Sequence, residues 1–152
     1  MLAVYVASAL GFSEATRPYN ATLLDALRDA GYAPLDPWAD PDGATAAALD
    51  AAQTVADLAT INTRLAAANL EAIRRADAVL ALLDGPDVDS GVAAEIGYAF
   101  ARGTPVIGLR LDFRRAGDND AATVNLQVQH CLAGPVCRSL PDALAALREA
   151  MR

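Results

Sequence analysis

The chain has 152 residues, 54% of them apolar, and a net charge of −7 at pH 7. This length fits one domain with a sizeable core, and the acidic balance argues against nucleic acid or an anionic membrane surface as a partner. All twelve cationic side chains are arginine and there is one histidine, which excludes a Schiff-base lysine, a Walker-type phosphate loop and a multi-histidine metal cage.

The first residues read as a core strand rather than as a leader. The opening "MLAVYVASALGFSE" is apolar and carries no basic residue before Glu14, which does not fit a signal peptide. No apolar run approaches the roughly 20 residues that cross a bilayer. Cys131 and Cys137 lack the CxxC spacing of a metal or redox motif and are too few for a disulfide scaffold. We expect a cytoplasmic protein.

Apolar runs typical of strands alternate with segments of helical periodicity. The predicted strands are LAVYVASA, YAPLDPW, DAVLALLDG, TPVIGLRLD and GPVCRS. The predicted helices span residues 14–30, 44–76 with a break near Thr60–Thr63, a segment from Ser90, 124–131, and 141–151 with Ser139 as N-cap. We predict an α/β fold with a five-stranded parallel sheet, helices on both faces, and the flavodoxin-like order 2-1-3-4-5. Ligands then bind beyond the carboxyl ends of the strands, near loops 1, 3 and 4.

The stretch "DGPDVDSGVAAEIGYAFARGTPVIGL" follows the third predicted strand and carries the clearest chemical signal. Glu95 lies in an Ala-rich helix, and its neighbours at i−3, i+3 and i+4 are all apolar or aromatic. Gly91 permits a close approach of the backbone to a ligand. The alternative is structural: acids near a helix N-terminus are favoured by the dipole, and Asp89 just before the helix is a typical N-cap.

A half-buried carboxylate at this edge of a parallel sheet suits nucleophilic catalysis. In retaining glycosyl transfer one acid attacks the anomeric carbon, and a second carboxyl protonates the departing group. The stretches YVASALGF, ADAVLALLDG, DSGVAAEIGYAFARGTPVIGL and VNLQ together resemble the nucleoside 2-deoxyribosyltransferase family from about Val4 to Cys131. The resemblance implies one such domain over residues 1–152.

The resemblance also implies roles for individual residues. Glu95 is the expected nucleophile on C1′ of a 2′-deoxynucleoside, Asp89 holds the sugar hydroxyls and assists proton transfer, and Tyr5 hydrogen-bonds the nucleophile. Asn125 of VNLQ is expected to reach the sugar 5′-hydroxyl in a neighbouring subunit of a homo-oligomer. The partners expected are nucleosides and nucleobases, with no metal and no organic cofactor.

Other residues are expected to line the pocket, each with a structural alternative. Asp36 and Trp38 follow the second strand, where relatives line the base pocket; the tryptophan is either a stacking platform or a hydrophobic lid. Ser8 and Phe12 follow the first strand. Asn69 occupies the position where relatives often carry an acid, and an amide cannot supply a proton near neutral pH.

Two further functions compete with base exchange. A hydrolase of the same fold would replace the acceptor base with water, on a nucleoside or a nucleoside 5′-monophosphate, with Arg17, Ser8 and Ser13 as the only phosphate-binding candidates. A non-catalytic nucleotide-binding module would keep the fold without the chemistry. The arginines of the loop after the fourth strand, Arg110, Arg114 and Arg115, are expected to be solvated.

Overall fold

A computed structural model describes all residues from 1 to 152. Its parallel sheet has four strands in the order β2-β1-β3-β4. They are β1 (Ala3–Ala7), β2 (Ala33–Leu35), β3 (Ala78–Leu82) and β4 (Val106–Leu109). This order agrees with the first four positions of the predicted one. The direction in which successive strands are added to the sheet reverses between β1 and β3. Residues following β1, β3 and β4 therefore lie side by side at the carboxyl edge.

The chain has six α-helices. They are α1 (Arg17–Asp29), α2 (Ala44–Ala51), α3 (Val55–Arg75), α4 (Ser90–Ala101), α5 (Leu126–His130) and α6 (Leu140–Ala150), and a single 3₁₀ turn, Leu10–Phe12, follows β1. Ser139 caps α6 as predicted, since its side chain accepts a hydrogen bond from the Asp142 N–H. No helix is both long and apolar enough to span a membrane.

Alternate residues of the strands point to two separate cores. Val4 and Val6 of β1 belong to the core under α1 and α6. Tyr5 and Ala7 belong to the second core, which α3 and α4 cover with residues such as Ile73. The period of two along a strand thus decides that the Tyr5 ring lies on the same face of the sheet as α4.

The prediction of a fifth strand was wrong. The segment GPVCRS forms a single parallel bridge between Leu109 and Cys137. Cys137 donates to the Gly108 carbonyl at 2.8 Å and accepts from the Arg110 N–H at 2.9 Å. Pro135 has no N–H to extend the ladder, and Ser139 already caps α6. The sheet matches the flavodoxin-like class only approximately.

The break between the two Ala-rich helices also lies elsewhere than predicted. Thr54 and Asp57 form a capping box that begins α3. Thr60 and Thr63 lie inside α3, where their hydroxyls donate to the carbonyls of Ala56 and Ala59, four residues earlier. A threonine can satisfy its hydroxyl within a helix in this way, so the cluster did not require a break.

Candidate active site

The centre of the site is a hydrogen bond between β1 and α4. The Tyr5 hydroxyl donates to Glu95 Oε1 at 2.7 Å. Tyr5 is fully buried, and Glu95 is half-buried in the second turn of α4. The two residues are brought together because Tyr5 lies on the face of the sheet that α4 covers. Glu95 Oε2 makes no hydrogen bond within the chain, so one oxygen is held and the other is free.

The environment shifts both groups toward their protonated forms. Burial raises the pKa of Glu95; the hydrogen bond from Tyr5 lowers it, and the nearby charge of Asp89 raises it. Burial, followed by the hydrogen bond to Glu95, raises the pKa of Tyr5 far above its ordinary value. Tyr5 therefore remains a proton donor at any ordinary pH. A carboxylate that is poorly solvated and bonded at one oxygen is a suitable nucleophile.

Asp89 is the N-cap of α4 as well as a neighbour of Glu95. Its Oδ1 accepts hydrogen bonds from the N–H groups of Gly91 at 2.9 Å and Val92 at 3.1 Å. Oδ1 of Asp89 therefore serves as the helix cap, which was the structural alternative for this residue. Oδ2 makes no hydrogen bond within the chain. A Cβ on Gly91 would lie 3.1 Å from Asp89 Oδ1, so glycine at this position keeps the carboxylate uncrowded.

The loop after β2 places a second acid near Tyr5. The charge of Asp36 acts on the Tyr5 hydroxyl. Its carboxylate accepts from the Trp38 N–H at 3.1 Å and, more weakly, from the Asn20 side chain at 3.5 Å. Ser8 donates to Asn20 Oδ1 at 3.5 Å. The Ser8 side chain therefore points toward α1, on the face of the sheet opposite to Glu95.

Trp38 packs against the turn after β1. Its indole N–H donates to the Ser8 carbonyl at 2.9 Å. The ring covers Gly11 so closely that a Cβ there would lie 2.0 Å from Trp38 Cδ2. Phe12 contacts the indole edge to face, with ring centroids 4.5 Å apart, and is 74% exposed. Trp38 thus supports the turn with one face, and the exposed aromatic surface at this edge belongs mainly to Phe12.

Asn69 lies in α3 on the side that faces the sheet. It precedes the buried Ile73 by one helical turn, and Ile73 packs in the same core as Tyr5. Since α3 runs opposite to the strands, Asn69 lies nearer than Ile73 to their carboxyl ends. Asn69 is half-buried, and its amide makes no hydrogen bond within the chain. The amide is therefore available to a ligand.

Asn125 is the N-cap of α5. Its Oδ1 accepts from the N–H groups of Gln127 at 3.0 Å and Val128 at 3.4 Å, and its Nδ2 donates to Asp118 at 3.4 Å. It makes no hydrogen bond to Tyr5, Asp89 or Glu95. Within one chain, Asn125 thus orders its own loop.

The expectation that Arg110 is solvated was wrong. Arg110 is fully buried, although Arg114 and Arg115 in the same loop are exposed. The alternation along β4 gives the reason, because positions 106, 108 and 110 point to the face that α4 covers. The same period is present in the sequence VIGLR and places Arg110 on the inward face. Asp84, after β3, was also missed; its Oδ1 accepts from the N–H groups of Leu111 and Asp112.

Comparisons with known proteins bear on the family and the fold of the chain. The model of the family "Nucleoside 2-deoxyribosyltransferase" matches residues 4–128. A comparison with curated proteins gave no match. The fold is similar to that of a conserved protein from Enterococcus faecalis V583, at 29% identity and a TM-score of 0.69 over 98% of both chains.

Two further solved structures share the fold at lower identity. The 2-desoxiribosyltransferase of Leishmania mexicana is 21% identical, with a TM-score of 0.71 over 98% of both chains. The CMP N-glycosidase BcmB of Clostridium botulinum is 18% identical, with a TM-score of 0.55 over 97% of this chain and 98% of that one. The family match covers most of the chain, including Tyr5, Asp89 and Glu95. The chain therefore belongs to the nucleoside 2-deoxyribosyltransferase family.

Proposed function

We propose that the protein is an enzyme that transfers 2-deoxyribose from one nucleobase to another with retention of configuration at C1′. Glu95 is the nucleophile, Tyr5 orients it, and Asp89 binds the sugar and assists proton transfer. The reaction needs no metal and no organic cofactor. The family membership supports the reaction class, and the geometry around Glu95 supports the assignment of roles.

The observation that carries the proposal is the 2.7 Å hydrogen bond from Tyr5 to Glu95 Oε1. It fixes one carboxylate oxygen and leaves Oε2 free to attack. Because burial has removed much of its solvation, the carboxylate gives up little water on reaching a carbon with oxocarbenium character. Asp89 is held close by its cap hydrogen bonds, and its free oxygen can accept from a sugar hydroxyl.

In the first half-reaction, Glu95 Oε2 attacks C1′ and forms a glycosyl ester. The C1′–N bond breaks, its electron pair stays on the base nitrogen, and that nitrogen gains a proton delivered through Asp89 or water. In the second half-reaction a nitrogen of another base attacks C1′, the ester bond breaks and Glu95 leaves as carboxylate. The incoming base loses its proton by the reverse route.

Asn69 and Asp36 are proposed to contact the departing base, and Phe12 and Trp38 to provide its apolar surface. The Asn69 amide has free donors and a free acceptor, but it supplies no proton near neutral pH. Protonation of the base is therefore left to Asp89 or to water. Exchange should be more sensitive to Asp89 in this protein than in relatives that carry an acid at the position of Asn69.

A homo-oligomer is proposed to complete the site. The position of Asn125 in the family's VNL motif supports a contact with the sugar 5′-hydroxyl in the neighbouring subunit. The loop that carries Asn125 is ordered within its own chain by Asp118. Its exposed neighbour Leu126 offers apolar surface for such an interface.

The experiment is trapping of the intermediate. The protein is mixed with a 2-fluoro-2-deoxy adenine nucleoside, because the fluorine slows release of the sugar from the enzyme. We expect one sugar adduct by intact-mass spectrometry, mapped to Glu95 in the peptide digest. The Glu95→Gln variant is the matched control and should form none. An adduct on another side chain, or none on the unsubstituted protein, would refute the assignment.

Hydrolysis is the second candidate, supported by the fold shared with a CMP N-glycosidase. Arg17 donates through Nε to the Gly11 carbonyl at 3.2 Å, which holds its guanidinium beside the turn after β1. A 5′-phosphate there would contact Arg17 and Ser13. Assays with deoxyinosine and with deoxyinosine 5′-monophosphate, each with and without adenine, separate the candidates. Exchange predicts deoxyadenosine from the nucleoside and deoxyadenosine 5′-monophosphate from the nucleotide. Hydrolysis predicts free deoxyribose or deoxyribose 5-phosphate, at a rate independent of adenine.

A further inference from the structure

Arg110 is the largest fully buried side chain of the protein. Its Nη1 donates to the Leu83 carbonyl, and its Nη2 donates to the carbonyls of Gly85 and Arg114, both at 2.9 Å. None of the four ion pairs of the chain includes Arg110. Its Nε is buried without a partner. The charge is thus held by carbonyl groups alone.

Stability alone explains this arrangement poorly. A buried charge without a counter-ion costs free energy, and apolar residues of similar volume often stabilise a core at least as well. What a guanidinium offers instead is a rigid planar fork that bonds several carbonyls at fixed angles. Here those carbonyls belong to two different loops, one after β3 and one after β4.

Further hydrogen bonds join the same two loops. Asp84 Oδ1 accepts from the N–H groups of Leu111 at 2.6 Å and Asp112 at 2.9 Å. Asp112 in turn accepts from the Gly85 N–H at 3.3 Å. We call this set, between residues 83–85 and 110–114, the loop clasp. Arg110 is its only fully buried charged side chain.

The segment between the loop clasp and Asp89 is short and tightly turned. Gly85 has φ +121, and a Cβ there would lie 2.8 Å from the Asp87 carbonyl oxygen, so the turn is tight. Val88 is buried in the same core as Tyr5 and Ile96. Asp89 follows directly. A displacement of the Leu83 and Gly85 carbonyls therefore displaces Asp89, which follows Gly85 by only a few residues.

We propose that Arg110 is a positioning residue, which holds residues 83–89 so that the Asp89 carboxylate stays beside Glu95. The inference rests on the proposed function, since the loss it predicts is a loss of sugar transfer to Glu95. Arg110 itself does not touch the substrate. It acts through Asp89, and this makes its effect separable from a general loss of stability.

The test is a double-mutant cycle on the rate of adduct formation with the 2-fluoro-2-deoxy adenine nucleoside. Arg110→Met should slow the step about 100-fold, the loss expected for a misplacement of roughly 1 Å. Arg110→Lys, which keeps the charge but places its donors on a single nitrogen, should recover part of it. In an Asp89→Ala background, Arg110→Lys should cost less than about 3-fold, because coupled residues are not additive. The Arg110 substitutions should lower the maximal rate of adduct formation. The nucleoside concentration that gives half of this maximal rate should not change.

Leu147→Ala is the control for stability, since Leu147 is fully buried in the opposite core under α6. It should lower the melting temperature without slowing adduct formation at a temperature where the variant is folded. Equal losses from Arg110→Lys in both backgrounds, or a loss matched by Leu147→Ala, would overturn the inference alone. If the unsubstituted protein forms no adduct on Glu95, the proposed function fails and the inference fails with it.

Discussion

The Tyr5 hydroxyl and the Glu95 carboxylate, 90 positions apart in the chain, meet at 2.7 Å. The bond joins the first strand to the fourth helix across the core that the two share. Burial, followed by this bond, raises the pKa of the tyrosine; burial also raises the pKa of the acid, whereas the bond lowers it.

Tyr5→Phe should slow sugar transfer about 10- to 100-fold, since a hydrogen bond to a charged group contributes about 1.5–3 kcal/mol. The bond lowers the pKa of Glu95, so its removal should raise that pKa. The acid limb of kcat/KM should then move to higher pH. Tyr98→Phe, on the same helix but stacked with Arg102, is the control and should leave the profile in place.

The Asp89→Asn variant should separate the role of Asp89 as a helix cap from its role in sugar transfer. Asparagine caps a helix about as well as aspartate, so the free energy of unfolding should change little while transfer falls steeply. Asp89→Ala should lose both, with a stability cost of about 1 kcal/mol. Chemical denaturation and transfer assays on the two variants check this. A fully active Asp89→Asn variant would assign Asp89 to the cap alone.

Glu95→Gln should stabilise the folded protein at neutral pH by about 1 kcal/mol, as often follows removal of a strained functional group. Because burial raises the pKa of Glu95 when folded, the native state binds more protons than the unfolded chain. Its free energy of unfolding therefore falls as pH rises from the ordinary carboxyl pKa through the raised one. The advantage of the variant should vanish below that window. Urea titrations at several pH values measure it, and an advantage independent of pH would contradict this origin.

Gly11→Ala should displace the only tryptophan. The added Cβ would lie 2.0 Å from Trp38 Cδ2, so the indole must leave the turn after β1 and lose its hydrogen bond to Ser8. We expect a red-shifted fluorescence emission and a higher KM for the nucleoside. Gly134→Ala, where a Cβ meets nothing within 4 Å, should leave both unchanged.

Asn125→Ser should reduce transfer while keeping the α5 cap, because serine is also a good N-cap. If Asn125 serves a neighbouring site, mixing this variant with inactive Glu95→Gln should restore part of the activity. One site of a mixed oligomer then has both native residues. No recovery after subunit exchange, verified by native mass spectrometry, would place Asn125 outside the neighbour's site.

The local pattern of the sequence was enough to predict the order of the first four strands and the helices between them, and the cap at Ser139. These features depend on period, turn chemistry and spacing within about a dozen residues. The same local view misplaced the break before α3. Threonines at Thr60–Thr63 look like caps in sequence, but inside a helix their hydroxyls bond the preceding turn.

Only the tertiary structure decided which side chains meet. The bond between Tyr5 and Glu95 was expected from the family resemblance and not from the local pattern. It requires the β1–β3 pairing and the packing of α4, both of which join distant parts of the chain. The burial of Arg110 likewise depends on what covers the face to which its strand turns it. Sequence pattern shows which way a side chain points from its own backbone; the packing of neighbouring elements determines whether it meets water, a carbonyl or another side chain.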